Sequence, residues 1–308
     1  MGTAGRWAVP SGLARTADVP EPDAIHGPIV PRGAGLRRLR RPRTLPETFF
    51  KVGGSNSVIA IGTAGWSVPK AHADAFPASG SHLERYAQRF DAVEINTAFY
   101  RSHRVGTYAR WAASVPERFR FAVKLPRTIT HEQRLDRAEG LLRQFLGEVA
   151  GLGPKLGPLL IQLPPSLRFD PDTSAGFLRA FRDSHGGSIV CEPRHASWFA
   201  HDVDALLTEL CIARVAADPS PVPGAGEPGG WHGLRYERLH GSPKMYYSAY
   251  PPSALDALAG RLRGDAVHGR ECWCIFDNTA AFAAAGDALA VCERLRCDAK
   301  LSETPTPP

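Results

Sequence analysis

FRFAVKLPRTITHEQRLDRAEGLLRQFLGEVAGLGPKLGPLLIQL, residues 119–163, sets a β-rich run, a helical stretch and a second β-rich run one after another. In FRFAVKL (119–125) Phe121, Val123 and Leu125 alternate with Ala122 and Lys124, the two-residue period of an extended chain. Leu141, Leu142, Phe145, Leu146 and Val149 then recur at helical spacing and form one broad apolar face. PLLIQL (158–163) returns to the β pattern. Strand, covering helix and strand make the unit from which parallel sheets are built, because a parallel partner needs a crossover that carries the chain back.

The same alternation extends in both directions. VIAIG (58–62) and AVEIN (92–96) precede this unit, and SIVCE (188–192), IARVAA (212–217), LRYERLH (234–240) and CWCIFD (272–277) follow it. Between them lie apolar stripes at helical spacing: Leu83, Tyr86 and Phe90; Val203, Leu206, Leu207 and Leu210; Leu255, Leu258 and Leu262. Ser81 with Glu84, and Ser253 with Asp256, have the spacing of capping boxes. Eight β runs with helices between them predict a closed (β/α)8 barrel of the TIM type over residues 56–298, a size suited to one domain. PSPVPGAGEPGG (219–230) is too rich in Pro and Gly for a helix and reads as a loop on the rim.

The formal charge of +6 is uneven along the chain. Residues 1–51 hold nine cations, among them the cluster Arg37, Arg38, Arg40, Arg41 and Arg43, against four anions, which leaves 28 against 27 elsewhere. Residues 1–55, rich in Pro, Gly, Ala and Arg and without apolar periodicity, read as a disordered tail, either a solvated linker or a segment that touches nucleic acid or an anionic surface. Residues 299–308 read as a second disordered end. No run approaches the length of a membrane span, and no apolar signal segment is present, so the expectation is a soluble cytoplasmic protein without membrane partners. The six cysteines form no C-x-x-C, which fits reduced thiols; Cys272 and Cys274, on one strand face, read as small buried hydrophobes.

Strand parity assigns directions to the polar residues. Val93 and Ile95 take the face toward the helices and turn Glu94 and Asn96 inward; Lys124 turns inward with Ala122, Gln162 opposes Ile161 and Leu163, and Glu192 opposes Cys191. Tyr236, Arg238 and His240 share one parity. All stand at or near the C-terminal ends of their strands, where barrels of this type assemble active sites, and Thr63, Tyr100, Arg101, His131, Arg194, His195, Asp218, Asp277 and Asn278 open the loops that follow. An inward lysine needs a partner or must lose its charge, and Glu94 and Glu192 are the partners at hand. A buried ion network that merely organises the mouth is the plain reading; a lysine tuned as base, amine nucleophile or anion holder is the functional one. His131, His195 and His240 carry the same two readings, satisfied rim residues or participants in chemistry. Trp66, Trp198 and Tyr247 read as packing walls around the pocket. A divalent metal on the strand-end carboxylates and histidines is an alternative, although no H-x-H or H-E-x-x-H spacing occurs.

Seven ordered motifs carry a family resemblance: IGTAGW (61–66), FDAVEINTAFYR (90–101), FRFAVKLPRTITH (119–131), LGPLLIQLPPS (156–166), EPRHASW (192–198), YERLHG (236–241) with Tyr246 and Tyr247, and FDNT (276–279). Through them the chain resembles the YecE-like family, also called domain of unknown function family 72. The resemblance implies a TIM-type barrel and supplies no reaction. The pocket residues it implies are Glu94, Asn96, Tyr100, Lys124, His131, Gln162, Glu192, Arg194, His195, Trp198, Arg238, His240, Asp277 and Asn278. Pro193 stands where relatives usually have an aromatic residue, and Asp277 where they usually have Asn.

These observations lead to an expected enzyme acting on a small phosphorylated or carboxylated metabolite. Arg194, Arg238 and His240 would hold the anion, Lys124 with Glu94 or Glu192 would act as acid and base, and Asn96, Tyr100, His131, Gln162, His195, Trp198, Tyr247, Asp277 and Asn278 would complete the binding surface. A nucleic-acid-binding or metal-dependent phosphodiester-processing barrel, and a non-catalytic ligand-binding barrel, are the alternatives.

Overall fold

The computed structural model describes residues 59–302, with side chains as far as Arg296. The N-terminal segment read as a basic tail, and residues 303–308, lie outside the described residues. In chain order the elements are β1 (Ile59–Thr63), α1 (His82–Ala87), β2 (Ala92–Ile95), α2 (Thr97–Tyr100), α3 (Val105–Ala113), β3 (Arg120–Lys124), α4 (Glu139–Val149), β4 (Leu156–Gln162) and α5 (Thr173–Ser184). They continue with β5 (Ile189–Glu192), α6 (His201–Glu209), β6 (Ile212–Arg214), β7 (Ala216–Asp218), β8 (Gly229–Gly230), β9 (Leu234–Leu239), α7 (Pro252–Val267), β10 (Glu271–Phe276) and α8 (Ala283–Ser302). Each of the eight β runs read from sequence becomes a strand or strand pair. The sixth is divided at Val215 into β6 and β7, and α8 reaches Ser302, past the boundary expected at residue 298.

The strands form two sheets, β1-β10-β9-β7 and β2-β3-β4-β5-β6-β8, in which every pairing is parallel except that of β6 with β8. This is a mixed α/β fold with parallel sheets. Gly229 and Gly230 give the loop after β7 its one short strand, lying antiparallel on β6. The sheets approach each other where Ala64 bridges Glu94 in parallel and Gly65 N donates to Glu94 O at 2.9 Å. Gly62 permits that approach, since a Cβ there would stand 2.2 Å from Ala92 O. Two apolar clusters follow the strand parity. Val93, Ile95, Phe121, Val123, Ile161, Cys191, Cys272 and Cys274 pack with the helices, whereas Ala60, Ala92, Ala122, Leu160, Val190, Ala213, Tyr236, Trp273 and Ile275 form a separate inner core. Small inner residues leave room for Tyr236 and Trp273, which stack with centroids 6.0 Å apart.

The helix starts split the two capping predictions. Ser81 and Glu84 make the reciprocal box, with Ser81 N donating to Glu84 Oε2 at 2.7 Å. Ser253 does not: α7 begins with Pro252 at its first turn, the cap position is Pro251, and Asp256 instead accepts from Arg294. A proline preset for the helix brings the start two residues forward and takes Ser253 past the cap.

Candidate functional site

At the C-terminal ends of the strands the inner face changes from apolar to ionic. Arg238, next along β9 on the face of Tyr236, is 0% exposed and is the hub. Its Nη2 donates to Glu94 Oε1 at 2.8 Å and to Asp277 Oδ2 at 2.9 Å, its Nε to Glu94 Oε2 at 3.1 Å, and its Nη1 to Glu192 Oε2. The Tyr236 hydroxyl adds a bond to Glu94 Oε2 at 2.9 Å. Arg194 donates twice to Glu192 Oε1, at 2.8 and 3.0 Å. His240 lies with Nδ1 3.1 Å from Asp277 Oδ2 and Nε2 3.4 Å from Glu192 Oε1, and Asn96 Nδ2 donates to Asp277 Oδ1 at 3.4 Å.

Three carboxylates thus meet two guanidinium groups, and the balance falls on His240. Burial by itself disfavours its charge, but Glu192 and Asp277 outweigh that and raise its pKa. Burial likewise opposes the charge of Glu192, yet Arg238, His240 and Arg194 hold it well below the usual carboxylate range. Asp277 is lowered against its burial by Arg238 and His240.

Lys124 stands beside this network and not in it. The expectation that Glu94 or Glu192 pairs with it is corrected: both acids turn to Arg238, and no described residue makes an ion pair or hydrogen bond with Lys124 Nζ. The planar fork of an arginine serves several carboxylates at once, which a lysine's point charge does less well. Lys124 Nζ instead lies over the Phe99 ring, 4.0 Å from its centroid. Burial, then Arg238, lower its pKa to about 8, with Glu94, Glu192 and Asp277 pulling the other way. His131, in the π-helical turn Thr128–Glu132, meets Phe99 edge to face at 4.9 Å and lies 2.8 Å from Thr130 Oγ1 through Nδ1. Burial, followed by Lys124, Arg127, Arg194 and Arg134, pushes its pKa down to about 4, so the imidazole is neutral at physiological pH and the surrounding field is positive.

The structure therefore brings together Glu94, Asn96, Lys124, His131, Glu192, Arg194, Arg238, His240 and Asp277. Gln162 is buried opposite Glu192 in the sheet register, its Nε2 bonded to Leu163 O at 2.7 Å. Five others do not join the cluster. His195 caps the turn Ala196–Phe199 by accepting from Ser197 N, and Trp198 is buried in the helix-side core with Nε1 bonded to Leu167 O at 3.0 Å. Asn278 fastens the loops after β9 and β10, donating to Ser248 O and Asp287 Oδ2 at 2.9 and 2.7 Å. Tyr100 is exposed and borders a cavity of about 200 Å³ with Phe99, Arg101, Arg127, Gln144 and Glu148. Tyr247, half-exposed, carries Lys244 over its ring. Sequence reasoning does not single out Phe99, Arg127 or Arg134; only their place inside or just after the motifs FDAVEINTAFYR and FRFAVKLPRTITH points to them. Among the described residues no three His, Cys, Asp or Glu side chains are grouped to hold a metal ion. Glu94, Glu192 and Asp277 converge on a guanidinium instead, and His240 closes the same network.

Fold and site define an α/β protein with parallel sheets whose strand ends carry a buried ionic cluster. The chain belongs to the DUF72 family, described as a protein of unknown function, whose profile matches residues 60–308. It is 32% identical over 173 residues to the UPF0759 protein YecE of Escherichia coli, a match covering 54% of this chain and 61% of that one. To the UPF0759 protein YunF of Bacillus subtilis it is 30% identical over 154 residues, covering 46% of this chain and 53% of the other, so the matches span about half to three fifths of these relatives. Among solved structures, a DUF72 family protein from Enterococcus faecalis superposes with a TM-score of 0.66 at 23% identity, over 78% of this chain and 96% of that one. One from Thermotoga maritima gives 0.66 at 22% identity, over 77% and 99%. At such identities the likeness concerns the fold alone. No helix among the described residues is long and apolar enough to cross a membrane.

Proposed function

We propose that the two sheets are arcs of one closed (β/α)8 cylinder, and that its mouth is the active site of an enzyme acting on a small phosphorylated or carboxylated metabolite. The closure is supported by the Ala64–Glu94 bridge, by the inner core drawn from both sheets, and by Arg238, which reaches from one sheet to Glu94 and Glu192 on the other. The observation that carries the functional reading is the charge balance. Arg238, Arg194 and His240 engage Glu94, Glu192 and Asp277, and Lys124 remains without an ion-pair partner among the described residues, next to a His131 on which Arg127, Arg194 and Arg134 also act. A bound anion supplies what the protein withholds. In this reading Lys124 and neutral His131 exchange protons with the substrate. Glu94 and Glu192 act through Arg238 as positioning residues, and Asn96 Oδ1, buried and without a partner among the described residues, accepts a substrate hydroxyl. The free cysteines among the described residues, Cys191, Cys211, Cys272, Cys274 and Cys292, support a reducing compartment, the cytoplasm.

The test is thermal unfolding of the whole protein with inorganic phosphate, phosphoglycolate and citrate. Specific binding raises Tm, and Lys124→Met removes that rise while Arg110→Gln, on α3, keeps it. A rise of equal size in Lys124→Met and the parent protein refutes the assignment, since the salts then act only by general exclusion from the surface.

A further inference from the structure

We infer that Lys124 is an amine nucleophile and that the site takes a small anionic carbonyl compound, a keto acid or a phosphorylated aldehyde or ketone, as a Schiff base. The inference rests on the reading of the mouth as an enzyme site for small anions and names its substrate class.

The geometry separates this lysine from one that serves a network. A structural lysine at a strand end beside three carboxylates would be paired with one of them, because an uncompensated buried ammonium is costly. Here all three are taken by arginines and His240, and the amine rests on the face of Phe99, an apolar surface that strips water from Nζ without offering a full charge. Such a nitrogen gives up its proton at small cost, and its lowered pKa agrees. His131 contacts the same Phe99 ring and is held neutral by burial and by the cations around it, so it adds no charge beside the amine and can hydrogen-bond a bound substrate. Arg194, tied to Glu192 by two bonds, and Arg127, 3.0 Å from Glu132, bring positive charge toward His131 and make the field that a carboxylate or phosphate would enter.

The step balances without any further reactant. The Lys124 ammonium gives one proton to solvent water. The freed lone pair bonds to the carbonyl carbon, and a second nitrogen proton passes to the carbonyl oxygen. A proton returned from solvent then turns that hydroxyl into water, which leaves as the C=N bond forms. One water is released, and the positive charge ends on the iminium nitrogen, where it can withdraw electrons from a neighbouring bond.

The experiment is reductive trapping with glyoxylate, the smallest anionic carbonyl probe, and cyanoborohydride at about pH 7.5, read by peptide mass spectrometry. A lysine with a depressed pKa has a larger neutral fraction, so Lys124 acquires the carboxymethyl mark about tenfold faster than the exposed Lys70 and Lys244. Arg194→Gln lowers this preference for glyoxylate. Formaldehyde, which has no carboxylate, marks Lys124 equally fast in parent and variant, so loss with both probes would report a damaged fold and not a lost anion contact. Lys124 marked no faster than Lys70 and Lys244 in the parent protein overturns the inference. If the phosphate-induced rise in Tm still depends on Lys124 in that case, the lysine holds the anion by charge alone and the proposed function stands; if that rise is absent as well, both fall.

Discussion

Replacing Arg238 with Met tests the ionic hub directly. Methionine fits the aliphatic stem of arginine, so the change removes the guanidinium with little loss of packing. Glu94 and Glu192 are 0% and 1% exposed and cannot turn to water. Glu192 keeps Arg194 and His240, and Asp277 keeps His240 and Asn96, but Glu94 keeps, among the described residues, only the Tyr236 hydroxyl. Breaking a buried pair in this way costs about 3–5 kcal/mol. One deprived carboxylate, with the others partly held, places the expected loss near the middle, about 4 kcal/mol, or about 8–16 °C in Tm for a domain of this length. The pH dependence has a definite sign. In the parent protein the depressed Glu192 and Asp277 contribute stability that is present above their unfolded pKa and is lost as pH falls through the folded values. In the variant, a carboxyl left buried without its cation has a raised folded pKa, so the penalty is full at neutral pH and is relieved as acid protonates it. The gap between the two proteins therefore narrows from about pH 7.5 to pH 5. Urea unfolding at these pH values measures it. A loss under about 1 kcal/mol, or a gap that does not narrow in acid, refutes the account of Arg238 as the counter-charge of a buried cluster.

Two structural substitutions follow from the packing. At Gly157 a Cβ would stand 2.6 Å from Trp273 Cη2 inside the inner core, so Gly157→Ala costs about 1–3 kcal/mol of unfolding free energy in urea, and a neutral result would mean that Trp273 does not fill that space. Ser81→Ala loses a formed capping box and about 1 kcal/mol, whereas Ser253→Ala, at a position past its cap, stays within about 0.5 kcal/mol; equal effects in thermal melts would contradict the observed helix start.

The strand runs, the helices between them and the strand face of Glu94, Lys124, Glu192 and Arg238, opposite the face that packs with the helices, were legible in the sequence, because a two-residue period decides a side chain's face within the strand itself. Membership of the family was legible for a related reason: its motifs cluster at strand ends and the turns beyond them. The break at Val215 was not, since whether six β-forming residues run straight or divide between two neighbours depends on the strands beside them. Nor could the sequence assign partners. Parity brings acids and cations to one place but does not say which meets which, and there the guanidinium of Arg238 took the acids expected of Lys124. His195 and Trp198 sit in a site motif yet serve a turn and the helix-side core, while the unremarked Phe99 supplies the surface under Lys124. Direction is a local property of the backbone, whereas pairing is a competition among groups far apart in the chain, and only the folded structure settles it.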